Sequence, residues 1–215
     1  NTPSTSTSAA DKEWKTILVG TLRSGGQGLY ALDVTNPSSF SASNVLWEFS
    51  DRDDADLGYT FSQASIVRMA NGKWAAIVGN GYNNTEADGA SSTDGKSAIY
   101  IIYLDHVSGT PWVAGTDYIK LKTTAGSLAS PNGMATPAAV DVDGDNKIDY
   151  IYAGDQLGNM WRFNVRSATD TDWSASGSIT RLFTTNSGQP ITSRPEVGYN
   201  LLQPAGPNQG LVVYF

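Results

Sequence analysis

One unit recurs along this chain: an apolar strand that ends in glycine, a polar turn, and a second strand rich in aromatics. Thr16-Ile-Leu-Val-Gly20 leads through a Gly-rich turn to Gly28-Leu-Tyr-Ala-Leu-Asp-Val34. Trp74-Ala-Ala-Ile-Val-Gly79 leads through a long polar loop to Ala98-Ile-Tyr-Ile-Ile-Tyr-Leu-Asp105. Tyr150-Ile-Tyr-Ala-Gly154 leads through Asp155-Gln-Leu-Gly158 to Asn159-Met-Trp-Arg-Phe-Asn-Val165. Each unit reads as a β-hairpin with turn residues at its tip. A fourth copy begins near Arg194-Pro-Glu-Val-Gly-Tyr199 and continues in Leu211-Val-Val-Tyr-Phe215. Between the hairpins lie Val45–Phe49, an alternating outer strand, and the lead-in strands Ala64–Met69 and Ala135–Val140. No segment sustains a 3.6-residue apolar period. Repetition at this spacing predicts an all-β chain of antiparallel propeller blades, about three to four of them, forming a partial arc of a larger propeller. A β-sandwich explains the strand count but not the recurring unit.

The second constraint is Asp141-Val-Asp-Gly-Asp-Asn-Lys-Ile-Asp149. Its aspartates fall at positions 1, 3, 5 and 9 of the loop. Carboxylates packed so closely repel one another unless a cation lies between them, and Ca²⁺ takes six to eight oxygen ligands. The expected metal ligands are Asp141, Asp143, Asp145 and Asp149, with Lys147 offering its backbone carbonyl and turning its ammonium to solvent. Gly144 and Asn146 suit the positive φ that a tight loop requires. The loop is not an EF-hand: Tyr152 stands at position 12, and Tyr150–Ala153 reads as a strand. The competing reading is an Asp-rich polar turn.

Other chemistry is narrowed by composition. A net charge of −7 is the wrong sign for a nucleic-acid surface. The chain has no Cys and one His, His106, which excludes disulfides, thiol nucleophiles and His-rich zinc sites. His106 follows a strand end and reads as a turn residue rather than a catalytic base, so no catalytic residue is assigned. No apolar run approaches the roughly 18 residues of a membrane span. The polar start, and an end on apolar strand residues, read as a piece of a longer protein. Residues 1–12 are expected to be a polar linker or tail, and 13–215 the propeller with its loop at 141–149.

Weaker features are read conservatively. Asp51-Arg-Asp-Asp-Ala-Asp56 lacks regular spacing and reads as a solvated loop rather than a second metal site. The excursion Asn80–Gly95 is a polar loop containing the formal sequon Asn83-Asn-Thr85. Gly25–Gly28 reads as a hairpin tip, not a phosphate cradle. Trp47, Trp74 and Trp161 read as packing between blades, and Asp155 as a cap on the Gly154–Gly158 turn.

Gly58-Tyr-Thr-Phe-Ser62, Lys73–Tyr82, and the order of acidic loop, Gly-Asp turn and Gly158-Asn-Met-Trp-Arg-Phe163 resemble the C-terminal propeller of type IV pilus tip-associated proteins of the PilY1/PilC family. The resemblance covers most of 14–215 and is most specific over 136–165, where Asp141, Asp143, Asp145 and Asp149 match the family's loop. It implies a Ca²⁺-binding, non-enzymatic module on the bacterial cell surface, at the pilus tip or outer membrane. Its implied partners are pilus subunits or minor pilins and a host-cell surface receptor. In that family calcium occupancy is linked to the balance of pilus extension and retraction. Two alternatives stay open. Gly28-Leu-Tyr-Ala-Leu-Asp33 also resembles quinoprotein-type dehydrogenase propellers, and an integrin-like propeller would use the calcium structurally.

Overall fold

The computed structural model describes residues 2–3, 14–86, 89–202 and 210–215. Most of the expected tail over 1–12 therefore lies outside the described residues. Among these residues there is no α-helix, and every paired strand is antiparallel. Strands β1 (Thr2–Pro3) and β2 (Trp14–Lys15) form a short pair. The first blade is β3 (Ile17–Thr21), β4 (Gly28–Asp33) and β5 (Val45–Ser50), in that spatial order. The second is β6 (Ser65–Arg68), β7 (Trp74–Gly79), β8 (Lys96–Tyr103) and β9 (Tyr118–Gly126). The third is β10 (Ala138–Val140), β11 (Tyr150–Gly154), β12 (Asn159–Asn164) and β13 (Ile179–Thr184). A fourth sheet holds β14 (Glu196–Tyr199) and β15 (Leu211–Tyr214). β10 touches both β6 and β14, so the first strands of successive sheets lie side by side and the sheets form an open arc.

The continuous apolar runs of β7 and β8 follow from this stacking. Successive side chains on a strand point to opposite faces, and both faces of the second blade are covered. Ala76, Val78, Tyr100 and Ile102 face the first blade, where they meet Leu29, Ala31, Trp47 and Phe49. Ala75, Ile77, Ile99 and Ile101 face the third blade, where they meet Ile151, Ala153, Trp161 and Phe163. A one-sided sheet would have needed polar residues at alternate positions.

The recurring glycine has a packing reason. A Cβ on Gly79 would collide with the Met134 and Ala135 carbonyls, where the chain enters the third blade. A Cβ on Gly154 would collide with Ile191, where the chain approaches the fourth sheet. The residue after each glycine is buried and ties the junction together. The Asn80 amide donates to the carbonyls of Asp56 and Lys96 and its oxygen accepts from Ala98 and Met134. The Asp155 carbonyl accepts from the Ile191 amide, while its carboxylate accepts from the Asn159 backbone, the Asn159 and Asn132 amides and the Trp161 indole. The glycine is thus a contact between blades as well as a strand end.

β9 and β13 were not anticipated. β9 alternates Ile119, Lys120, Leu121 and Lys122, sending the apolar pair inward. β13 is partly buried at its start and exposed over its last four residues. Gly79→Ala and Gly154→Ala should each lower stability by about 1–3 kcal/mol through overpacking. Gly198→Ala, which meets open space, should stay within about 0.5 kcal/mol of wild type. Urea unfolding midpoints of the three variants would test this contrast.

Candidate metal centre

The acidic loop is the turn of a hairpin. Val140 at the end of β10 pairs with Tyr150 at the start of β11, and residues 141–149 connect them. The loop is folded by its own backbone. The amides of Gly144 and Asn146 donate to the two Asp141 carboxylate oxygens at 2.7 and 2.8 Å. The Val142 amide donates to Asp149 Oδ2 at 2.7 Å, and the Asp145 amide to Asp143 Oδ1 at 3.2 Å. This winding needs left-handed backbone at Gly144 (φ 79°) and Asn146 (φ 64°), the two positions expected to tolerate it.

The outcome is a convergence of three carboxylates. One oxygen each from Asp141, Asp143 and Asp149 lies within 4.8 Å of the others. Asp149 is 7% exposed, while Asp143 is exposed, so the cluster opens outward from a buried base. Asp145 stands outside this set. Its carboxylate meets the Lys147 ammonium at 2.8 Å, and that hydrogen bond holds the carboxyl below its ordinary range. Lys147 therefore turns its ammonium back onto the loop rather than out to solvent. Arg166, just beyond β12, completes the electrostatics: Nε lies 3.1 Å from Asp149 Oδ1 and Nη2 3.9 Å from Asp143 Oδ2. The hard oxygen donors and their spacing fit a divalent cation of the Ca²⁺ type.

The loop is also tied to its neighbours. The Ile148 amide donates to the Arg68 carbonyl of the second blade, and Met69 and Ile148 form a parallel bridge. The Tyr199 hydroxyl, on the fourth sheet, donates to the Val142 carbonyl at 2.8 Å. Three sheets meet at this loop. Arg166 and Tyr199 lie too far along the chain for local spacing to have revealed them.

The second acidic stretch behaves differently from the solvated loop expected of it. Asp54 accepts from the hydroxyls of Tyr100 and Tyr118 and from the Lys120 ammonium at 2.8–2.9 Å. Asp56, 5% exposed, meets both Lys120 and Lys122 at 2.6 Å and accepts from Ser92. The residues of 51–56 thereby clamp the first blade to β8 and β9. The polar excursion is pinned to the same junction, since the Asn84 amide donates to the carbonyls of Asp56 and Lys96; residues 87–88 lie outside the described residues. His106 is buried, with its ring stacked on Trp112 at 3.6 Å.

Comparison with known proteins places this geometry in context. The family profile of the PilY1 beta-propeller domain matches residues 4–194. A type IV pilus biogenesis factor PilY1 homolog of Xylella fastidiosa is 36% identical over 214 residues, which is 95% of this chain and 14% of that protein. Type IV pilus biogenesis factor PilY1 of Pseudomonas aeruginosa is 41% identical over 152 residues, 71% of this chain and 11% of that protein. The crystal structure of the Pseudomonas aeruginosa PilY1 C-terminal domain superposes with a TM-score of 0.67 at 33% identity, over 93% of this chain and 40% of that one. The chain thus spans a small part of these curated relatives.

Burial pushes the Asp56 carboxyl up, but hydrogen bonds from Lys120, Lys122 and Ser92 outweigh it and hold the group down at about 2, from an ordinary 3.8. A depressed carboxyl stabilises the fold above its unfolded value, and that contribution is lost as pH falls. The loss should therefore run from about pH 4 through pH 2. Asp56→Asn should cost about 1–3 kcal/mol at pH 7 and flatten the acid limb of a stability–pH curve. An unchanged acid limb would place the effect in other carboxylates.

Proposed function

The chain belongs to the PilY1 β-propeller family, and from that premise we propose that it is a calcium-binding module of a type IV pilus-associated adhesin, supporting pilus biogenesis and regulating extension and retraction. The observation that carries the reading is the convergence of Asp141, Asp143 and Asp149 where three sheets meet. In this reading the ligand set is Asp141, Asp143, Asp145, Asp149 and the Lys147 carbonyl. Asp145 would join the set once its carboxylate is released from the Lys147 ammonium. The propeller extends over 13–215, preceded by a polar tail over 1–12.

The chemistry supplied by the ion is charge neutralisation and the tying together of oxygens from distant loop positions. The chain's own residues do the rest. Backbone amides fix the Asp141 carboxylate, Arg166 partly neutralises the cluster, and Tyr199 and Arg68 carry the loop's order to the fourth and second sheets. Ordering these junctions fixes the surface offered to pilus subunits or minor pilins, or to a host-cell receptor. The module acts by binding, without catalysis, on the bacterial surface at the pilus tip or outer membrane. An integrin-like, purely structural calcium is the second reading, favoured by the loop's ties to both neighbouring sheets.

Calorimetric titration should show one Ca²⁺ site that Asp149→Ala abolishes. Free Ca²⁺ at 100 times its dissociation constant should add about 2.7 kcal/mol of stability. Arg166→Gln removes a competing cation that is half exposed, so it should tighten Ca²⁺ binding by a few fold. Absence of binding heat and of any thermal shift would sink the calcium reading. Asp149→Ala in the full-length protein should then alter surface piliation in calcium-replete medium. A variant that loses calcium and stability but keeps normal piliation would establish the structural role instead.

A further inference from the structure

The acidic loop leads into the start of β11. Beyond the other end of that strand, turns of three blades converge on a cavity of about 460 Å³. Ser24 comes from the β3–β4 turn, Tyr82 and Glu86 from the β7–β8 loop, and Gln156 from the β11–β12 turn. Tyr59 and Phe61 lie on the segment entering the second blade. The scaffold beneath is fixed by backbone. Tyr59 and Tyr82 exchange two amide–carbonyl hydrogen bonds, at 2.7 and 3.1 Å, and the Gln156 amide donates to the Gly133 carbonyl. Phe61 and Tyr82 stack with ring centroids 5.5 Å apart. Phe61 is 38% exposed, and Ser24 and Glu86 are exposed, so aromatic and acidic parts of the lining are open to solvent.

A cation of the chain already sits on this cluster. The Arg23 guanidinium carbon lies 5.7 Å from the Phe61 ring centroid, within cation–π range. Among the described residues Arg23 meets no carboxylate, and its side chain donates no hydrogen bond. Its backbone is left-handed, at φ 54°, where a long side chain is uncommon. A costly backbone conformation thus carries a guanidinium that has an aromatic ring as its only partner. Strain of this kind clusters at binding sites and switches. Among the described residues Glu86 is the one carboxylate lining the cavity, and it has no cationic partner. A weakly held guanidinium and an unpaired carboxylate share one aromatic surface.

That combination restricts the occupant. An anion would face Glu86 and the negative faces of the rings, with no cation in the described lining to receive it. An apolar body would gain the rings and nothing from Glu86. A guanidinium answers both features, because it is flat enough to stack on a ring and presents a fork of donors to a carboxylate. The Arg23–Phe61 contact is the internal example of the first half. We propose that this cavity docks an arginine side chain of a partner protein, which displaces Arg23 from Phe61 and pairs with Glu86. Ser24, Asn83 and Gln156, also in the lining, are left to meet the partner's backbone. The chain's net charge of −7 favours the approach of a basic segment. The site does not depend on the calcium reading.

Carbon-13 NMR of the aromatic side chains reads Phe61 and Tyr82 directly. The probes are the blocked tripeptide Ala-Arg-Ala and its citrulline counterpart, which keeps the shape and lacks the charge. The arginine peptide should move both ring resonances saturably, and the citrulline peptide should bind at least about fivefold more weakly. Glu86→Gln, at an exposed position, should weaken binding about threefold with the melting temperature unchanged. Arg23→Asn keeps a residue that tolerates the left-handed backbone and vacates the ring, so it should tighten binding about threefold. A purely structural Arg23 would not produce that gain. Phe61→Leu should weaken binding about fivefold, and the two exposed variants carry the test if it does not fold. The proposal is overturned by the absence of a saturable shift, by equal binding of the citrulline peptide, or by a Glu86→Gln or Arg23→Asn that binds as wild type. Guanidinium ion binding as tightly as the peptide would mark a site for free small cations and would reject the protein partner.

Discussion

Blade-to-blade contact in this protein depends on a close backbone approach that a side chain would block. At Gly79 and Gly154 the second strand of one blade runs against the chain entering the next sheet. The Asn80 side chain and the Asp155 backbone carbonyl convert that proximity into hydrogen bonds, from the Met134 and Ile191 amides, in a buried setting. The adjacent sheets can then lie close enough for apolar side chains on both faces of the second blade to be buried. Van der Waals packing and polar pairing are coupled here. Loosening the approach would open the apolar layer and expose the amides beneath it.

The two acidic clusters show alternative solutions to carboxylate crowding. At Asp54 and Asp56 the countercharge is built into a strand, because Lys120 and Lys122 project from β9 onto the sheet face turned to the first blade. Strand geometry puts the two lysines on one face, each within 2.8 Å of an aspartate oxygen. In the other cluster Asp143 and Asp149 share one half-exposed guanidinium, that of Arg166, while Asp141 accepts from the backbone amides of Gly144 and Asn146. One cluster is closed by the fold itself. The other leaves its countercharge to a side chain that is half exposed to solvent.

Much of the arc was legible from residue patterns. β7 and β11 match the runs Trp74–Gly79 and Tyr150–Gly154 residue for residue, because burial on both faces writes a continuous apolar run with a steric stop. β9 and β13 were harder, since strands farther out carry weaker patterns and Lys120 and Lys122 read as surface residues until their partners are known. The acidic loop was legible in its turn chemistry and in three of its carboxylates. Odd spacing treats all four aspartates alike and does not show that Lys147, two residues away, draws Asp145 aside from the other three. His106 was read as a turn residue because its stacking partner, Trp112, reaches it only after the following segment folds back.

The Tyr199–Val142 hydrogen bond gives the arc a direction for mechanical load. A pull that draws the fourth sheet away from the third acts on this phenol and on the loop carbonyl it holds. The carbonyl belongs to the same residue whose amide grips the Asp149 carboxylate, so tension on the sheet is passed to the base of the acidic cluster across a single residue. Stretch at the rim and geometry at the ion site therefore share a single short lever.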